Sequence, residues 1–195
     1  MRIRAHTSRW VCLCILYGLL LVLSACGEEP GAQTTPFAPT PTMFNLTVYT
    51  GAGYSIAYPQ EWNIQKSSDG AFSATDQRGT AYITIRVLAN SNGIVAPEVQ
   101  IQHSLKTFES SVKSYKVLDG PKSTTVGGDE WRQEMVVGDA GSLGQVQYVV
   151  LADNHAATPP KSGQSIVLVY GTARQQFEQK NRDIFQKMLH TFKFL

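Results

Sequence analysis

The chain has 195 residues, with 17 Lys and Arg against 15 Asp and Glu, so its formal net charge is +2. This length suits one domain with a leader or tail and is short for two full domains. Hydrophobic residues make up 43% of the chain, which excludes a disordered protein, and the small charge excludes a nucleic-acid binder. Three cysteines are too few for a disulfide-stapled small domain.

The N-terminus has the pattern of an export signal. Arg2, Arg4 and Arg9 form a positive segment, and an uncharged run of 14 residues extends from Trp10 to Leu23. A membrane-spanning helix needs about 20 apolar residues, so this run is too short for a permanent anchor. It suits the hydrophobic region of a cleaved signal peptide.

The end of this signal, Leu23-Ser24-Ala25-Cys26, resembles the lipobox of bacterial lipoproteins. In that family a diacylglyceryl group is joined to the cysteine sulfur, and a peptidase cuts directly before that residue. The resemblance implies cleavage between Ala25 and Cys26 and lipid attachment, with palmitate-type acyl chains, at Cys26. An ordinary signal peptide and an uncleaved signal anchor are the alternatives. We expect a protein anchored by lipid on the extracytoplasmic face of the cell membrane, because two acyl chains anchor stably.

Removal of residues 1–25 changes the composition of the mature protein. The three arginines of the leader leave with it and no acid does, so 14 basic and 15 acidic side chains remain. Cys12 and Cys14 leave as well, and Cys26 carries the lipid. The mature domain therefore has no free thiol, which excludes thiol catalysis and thiolate metal sites.

Residues 26–43 consist of the lipidated cysteine and a segment rich in Pro and Thr. This segment contains Pro30, Pro36, Pro39 and Pro41 and has no apolar periodicity. Such a composition favours an extended coil, at about 3.1 Å per residue, so that 17 residues reach roughly 50 Å. We interpret it as a tether that holds the domain away from the membrane.

Residues 44–195 have the patterns of a mixed domain with many short strands. Pro97 begins a predicted helix, whose apolar stripe continues to Tyr115 at steps of three and four residues. A second helix is predicted from about Ala173 to His190. The predicted strands are Phe44–Thr50, Tyr54–Tyr58, Asn63–Ser67, Ala71–Thr75, Thr80–Leu88, Lys122–Val126, Glu130–Val137, Gly144–Ala152, Gln164–Thr172 and Phe192–Leu195.

These elements predict an α+β fold, an α/β/α sandwich around a central antiparallel sheet. Strands that are joined by tight turns become antiparallel neighbours, and two amphipathic helices can cover the faces of a sheet. Ile166 to Tyr170 is apolar on both faces, which places that strand at the centre of the sheet.

Two segments of the domain resemble the PsbP-like superfamily. The first is Tyr54-Ser55-Ile56-Ala57-Tyr58-Pro59-Gln60-Glu61-Trp62, and the second runs from Ile184 to Phe194, where a last helix leads into a Thr-Phe-x-Phe strand. The resemblance covers residues 44–195. It implies a sandwich with helices on both sides of an antiparallel sheet, and members that mostly bind other proteins.

The Tyr58-Pro59-x-x-Trp62 motif also has a physical interpretation of its own. Pro59 fixes its φ angle and ends a strand, so the chain turns and Trp62 returns to the core. We expect Tyr58, Pro59 and Trp62 to have a structural role. A ligand pocket at Tyr58 and Trp62 is the alternative.

No motif assigns a catalytic site. Gly127-Gly128-Asp129-Glu130-Trp131 is close to the GGDEF signature of diguanylate cyclases, but the preceding metal-binding segment of that family is missing. A hairpin turn at Gly127-Gly128 explains the same residues. Ser110-Ser111-Val112-Lys113 matches Ser-x-x-Lys without the partner motifs that serine enzymes have.

No motif assigns a metal or cofactor either. His103, His155 and His190 lack the spacing of a helical zinc site, although ligands that are distant in the sequence stay open. The sequence thus predicts a non-enzymatic accessory lipoprotein without a cofactor, which binds a protein partner near the membrane. The alternatives are a small-molecule or ion-binding lipoprotein associated with a transporter, whose pocket would be framed by residues 89–96 and 153–163, and a cell-envelope enzyme.

Overall fold

The computed structural model describes residues 45–68, 71–89, 95–153 and 164–195. The predicted signal peptide, Cys26 and the tether lie outside these ranges, as do most residues of the two loops that were expected to frame a pocket. The described residues form eleven strands, which are β1 Leu46–Thr50, β2 Tyr54–Pro59, β3 Asn63–Lys66, β4 Phe72–Thr75, β5 Ala81–Ala89, β6 Lys113–Val117, β7 Ser123–Val126, β8 Asp129–Asp139, β9 Gln145–Asp153, β10 Gln164–Ala173 and β11 Lys193–Phe194.

The larger sheet is antiparallel and has the order β3-β4-β5-β10-β9-β8-β6, with β7 also paired to β8. Strand β10 is the middle strand of this order, as its two apolar faces predicted. Gly127 and Gly128 form the two-residue turn between β7 and β8, and both have positive φ, as a tight hairpin of this kind requires.

The first two strands belong to a separate sheet. Strands β1 and β2 pair with each other, and β2 also pairs with β11 at the end of the chain. The sequence led us to expect a single sheet. It did not reveal the second one, because the pairing of β2 with β11 joins residues that are far apart in the chain.

The first helix, α1, extends from Pro97 to Ser111 and ends earlier than predicted. Val112 already has an extended backbone, and Lys113–Val117 is the edge strand β6, so the assignment of Val112 and Tyr115 to a helix was wrong. A positive φ at Ser114 lies within this strand, next to a shift of register between β6 and β8. Tyr115 keeps the apolar spacing of the helix although it lies in a strand, because its ring packs against Phe108 of α1.

The C-terminal segment was predicted as one helix over residues 173–190. It consists instead of a 3₁₀ turn at Arg174–Gln176, helix α2 at Phe177–Lys180, a π-helical turn at Asn181–Phe185 and helix α3 at Gln186–His190. The π turn places Ile184 and Phe185 in the core. It holds one more residue in its turn than an α-helix, a feature that often accompanies functional sites.

The two helical segments pack on opposite faces of the large sheet. Ile101 and Leu105 of α1 contact one face, against Val136, Val150 and Val167. Residues of the C-terminal segment and the inner face of the small sheet form the larger core on the other face. The predicted α+β class is confirmed.

Candidate functional site

Tyr58, Pro59 and Trp62 lie where the small sheet meets the core. Pro59 is the last residue of β2, and its carbonyl accepts a hydrogen bond from the Trp62 N–H at 3.0 Å. The Tyr58 ring contacts Phe72, and the Trp62 ring packs edge-on against Phe185 of the π turn. Both rings are buried, and one edge of Trp62 borders a polar cleft on the surface.

This cleft, which we call the Trp62 cleft, has a volume of about 260 Å³. It contains both signs of charge, from Glu61, Asp76, Arg78 and Lys180. Lys180 and Asp76 form a salt bridge of 3.0 Å, which connects the turn before β5 to helix α2. The Trp62 cleft therefore has a fixed ion pair on one wall.

The carboxylate of Asp76 accepts four hydrogen bonds. Its carboxylate accepts from the Thr80 N–H at 2.6 Å, the Thr80 hydroxyl at 2.8 Å, the Ala81 N–H at 3.1 Å and Lys180 Nζ at 3.0 Å. Burial by itself would raise the pKa of Asp76, but the bonds from Lys180, Ala81 and Thr80 outweigh it and hold the pKa below its usual value of 3.8. With its acceptor sites filled, Asp76 is suited to hold the turn and not to act as a base.

A second depression, the α1 groove, lies between helix α1 and the half of the large sheet that the helix leaves uncovered. Its volume is about 250 Å³, and it is open to solvent along one side. The sheet contributes Tyr82, Thr84, Arg86, Tyr148, Val167 and Val169, and the helix contributes Ser104, Thr107, Phe108 and Ser111.

An aromatic cluster forms one end of the α1 groove. The rings of Tyr82 and Tyr148 are 5.3 Å apart at 64°, and those of Phe108 and Tyr148 are 4.1 Å apart at 82°. Tyr148 lies over Gly171 of β10, where a Cβ atom would overlap the ring. The glycine therefore makes room for the tyrosine that closes this end of the groove.

Both tyrosines of this cluster stay protonated at neutral pH. Burial raises the pKa of Tyr82 far above its ordinary value of 10.0, and its electrostatic interaction and hydrogen bond with Tyr148 raise it further. Burial also raises the pKa of Tyr148, although its hydrogen bond to Tyr82 acts in the other direction. Their rings line the groove, and their hydroxyls are neutral and bonded to each other.

The helix side of the α1 groove presents hydroxyl oxygens. Ser104 donates its proton to the Gln100 carbonyl at 3.0 Å, Thr107 to His103 at 3.2 Å and Ser111 to Phe108 at 2.7 Å. Since each proton is used inside the helix, the lone pairs remain as acceptors for an outside donor. This wall of the groove is therefore rich in acceptors.

Arg86 is the only charged residue among the described residues that line the α1 groove. It is exposed, lies opposite Val167 in the pairing of β5 with β10, and makes no salt bridge within the described ranges. No carboxylate lines the groove in those ranges. The groove thus combines one cation, several acceptors and an aromatic end.

The other residues considered in the sequence do not meet at a site. His103 and His190 are exposed on separate helices, and His155 lies outside the described residues. Within residues 45–68, 71–89, 95–153 and 164–195, no group of three or more His, Cys, Asp or Glu side chains is placed to hold a metal. The same part of the chain contains no helix that is long and apolar enough to cross a membrane.

Sequence reasoning did not find the α1 groove. Ser104, Thr107 and Ser111 do share one side of the predicted helix, and Thr84 and Arg86 alternate on β5 with the buried Ile83 and Ile85. Only this alternation was visible in advance. That the helix covers one half of the sheet and leaves β5 open depends on the strand order.

The sequence matches no family profile and no curated protein. Solved structures with a similar fold include a protein from Bacteroides thetaiotaomicron, with 12% identity and a TM-score of 0.49 over 78% of this chain and 48% of that one, so this chain spans less than half of its length. They also include a point mutant of Mog1, with 13% identity and a TM-score of 0.49 over 77% of this chain and 96% of that one.

A further structure of this kind is LpqN of Mycobacterium tuberculosis, a protein involved in cell envelope biogenesis. It has 11% identity and a TM-score of 0.41 over 77% of this chain and 90% of that chain. These likenesses concern the fold alone, and the α+β class rests on the layers and strand order described above.

Proposed function

We propose that the protein is an extracytoplasmic lipoprotein, anchored at Cys26, whose domain is a non-catalytic module that binds another protein. The α1 groove is the observation that supports binding most strongly. It offers a cation that forms no salt bridge within the described ranges, acceptor lone pairs and aromatic rings, on a surface that no other described element covers. Polar groups of this kind, next to an apolar surface, are suited to recognition.

The anchor is supported by the leader and by the small residues before Cys26. Its test is the Cys26→Ser variant in a bacterial host that is fed labelled palmitate. We expect the wild-type chain to take up label and to fractionate with membranes, and the variant to remain unlabelled and uncleaved before residue 26. A variant that is labelled and processed like the wild type contradicts the lipid anchor.

Binding of a partner is tested by photo-crosslinking in cells. A photoreactive residue at Thr107, on the exposed wall of the α1 groove, is compared with the same residue at Lys187, which is exposed on α3. We expect a protein adduct of discrete mass from position 107 and only background from position 187. Equal adducts at both positions, or none at position 107, contradict a partner that binds at the groove.

The Trp62 cleft supports a second candidate function, the binding of a small solute or ion for a transporter. Lys180 uses one donor on Asp76 and keeps others for the cleft, and Arg78 forms no salt bridge within the described ranges. A small anion that raises the melting temperature of the wild type, but not that of the Lys180→Met variant, would support this function. No shift with inorganic phosphate, sulfate or carboxylates would count against it.

A further inference from the structure

We propose that the α1 groove binds an extended peptide segment of the partner, with an acidic side chain at Arg86 and an apolar side chain against Phe108 and Tyr148. This inference rests on the proposed function and specifies the chemistry of its partner. It depends on the charges, the hydrogen-bonding groups and the open side of the α1 groove.

The charge of the ligand follows from Arg86. It is the one charged side chain among the described lining residues, and none of the described acids of the domain neutralises it. A guanidinium binds a carboxylate through two parallel hydrogen bonds, which fixes the orientation as well as the charge. A carboxylate on the ligand therefore complements this part of the groove.

The hydrogen-bonding groups favour a peptide backbone over a simple acid. While their protons bond to helix carbonyls, the oxygens of Ser104, Thr107 and Ser111 are available as acceptors. An extended backbone carries N–H donors at regular intervals, whereas a small carboxylate carries none. The wall of α1 thus complements the donors of a chain that lies parallel to the helix.

The open side of the groove favours a segment of a larger ligand over an enclosed metabolite. Sites for small molecules bury most of the ligand surface. The α1 groove measures about 250 Å³ and is open along one side. Such a groove fits two or three residues of a segment whose other contacts lie outside it, on the surface of a larger partner.

The test is a selection of random linear nonapeptides on the purified full-length chain in detergent. We expect the enriched peptides to share an Asp or Glu next to a large apolar residue. A synthetic peptide of the consensus is then measured by fluorescence anisotropy. We expect Arg86→Glu to weaken its binding about tenfold or more, the equivalent of about 1.4 kcal/mol. Arg78→Glu, the same charge change in the Trp62 cleft, should leave the affinity within about twofold.

Two further measurements make the assignment specific. A peptide whose acid is replaced by Lys should bind the Arg86→Glu variant more tightly than it binds the wild type. Thr107→Phe, which fills the groove and keeps its charge, should also abolish binding, and thermal melts should show that both variants fold. Thr107 is exposed, so the added ring meets the groove and not the core.

Several results overturn the inference. They are a selection without acidic enrichment, an affinity that is equal in Arg86→Glu and the wild type, and an equal loss in Arg78→Glu. If benzoate or acetate displaces the peptide at the concentration at which the peptide itself competes, the groove is a site for small anions instead. A crosslink in cells together with a failed selection would reject this inference and leave the proposed function standing.

Discussion

Gly171 in the middle of β10 is the position where one added methyl group tests the packing of the α1 groove. A Cβ atom there would overlap the Tyr148 ring, lying 2.6 Å from its Cε1 atom and 2.7 Å from the Gln147 carbonyl oxygen. The ring cannot move freely, because Phe108 is 4.1 Å away on one side and Tyr82 is 5.3 Å away on another. Gly171→Ala must therefore displace the ring or bend the strand.

The destabilisation expected from Gly171→Ala is the sum of three contributions. Overpacking of a well-packed site costs about 1–3 kcal/mol, and each aromatic pair that is lost costs about 0.5–1.5 kcal/mol. Alanine is favoured over glycine inside a strand by roughly 0.5–1 kcal/mol, which offsets part of this cost. We expect a net destabilisation of about 2 kcal/mol, or a melting temperature lower by roughly 4–8 °C.

Urea denaturation followed by tryptophan fluorescence measures this change, since Trp62 and Trp131 are both buried. Gly120→Ala is the matched control. Its Cβ would overlap only Cε of Met135, the far end of a flexible side chain that can move away. We expect Gly120→Ala to change the free energy of unfolding by less than about 0.5 kcal/mol.

A double-mutant cycle identifies Tyr148 as the cause. In a Tyr148→Ala background the ring is absent, so Gly171→Ala should cost at least about 1 kcal/mol less than it does in the wild type. The reasoning is refuted if the cost is the same in both backgrounds, or if Gly171→Ala is as mild as Gly120→Ala.

Two other substitutions test the fold. Asp76→Asn should lower the free energy of unfolding at pH 7 by about 1.5–3 kcal/mol, since charge-assisted bonds including that from Lys180 are lost. Folding lowers the pKa of Asp76, so the stabilisation from its carboxylate is present above the unfolded value of 3.8 and is lost as the pH falls toward the folded value. The difference in free energy of unfolding between the wild type and Asp76→Asn should therefore be smaller at pH 3 than at pH 7. An equal difference at both pH values would contradict this. Gly127→Ala places a Cβ against the Phe192 carbonyl, with its carbon at 3.1 Å, whereas Gly79→Ala has a similar φ and open space. Urea denaturation should show Gly127→Ala to be the more destabilising by at least about 1 kcal/mol, and equal values would exclude the steric explanation.

Much of the secondary structure could be predicted from local patterns. The alternation of apolar and polar residues in β5 and the apolar run in β10 show which side chains face a core, and both patterns can be seen in the sequence. The turn at Gly127-Gly128 could also be predicted from neighbouring residues, because two positive φ angles favour glycine. Local patterns did not predict the end of α1, because Tyr115 keeps the helical spacing and yet lies in an edge strand.

The candidate site depends on contacts that spacing does not encode. Tyr82 and Tyr148 are far apart in the chain and meet only because β10 lies between β5 and β9. Arg86 had no apparent role in the sequence, because its position beside α1 is a consequence of where the helix crosses the sheet. Lys180 reaches Asp76 in the same way, across 104 residues.

The sequence by itself determined what is set by composition and short-range periodicity. From it come a domain of antiparallel strands and two helical segments, and the prediction of a leader that ends before Cys26, whose removal would leave no free thiol. Only the tertiary structure decided that β1 and β2 form a separate sheet with β11, and that α1 leaves β5 open beside it. The reason is physical. Local patterns show which side of an element is buried, whereas a groove forms where one element leaves part of another uncovered, and this depends on the tertiary arrangement.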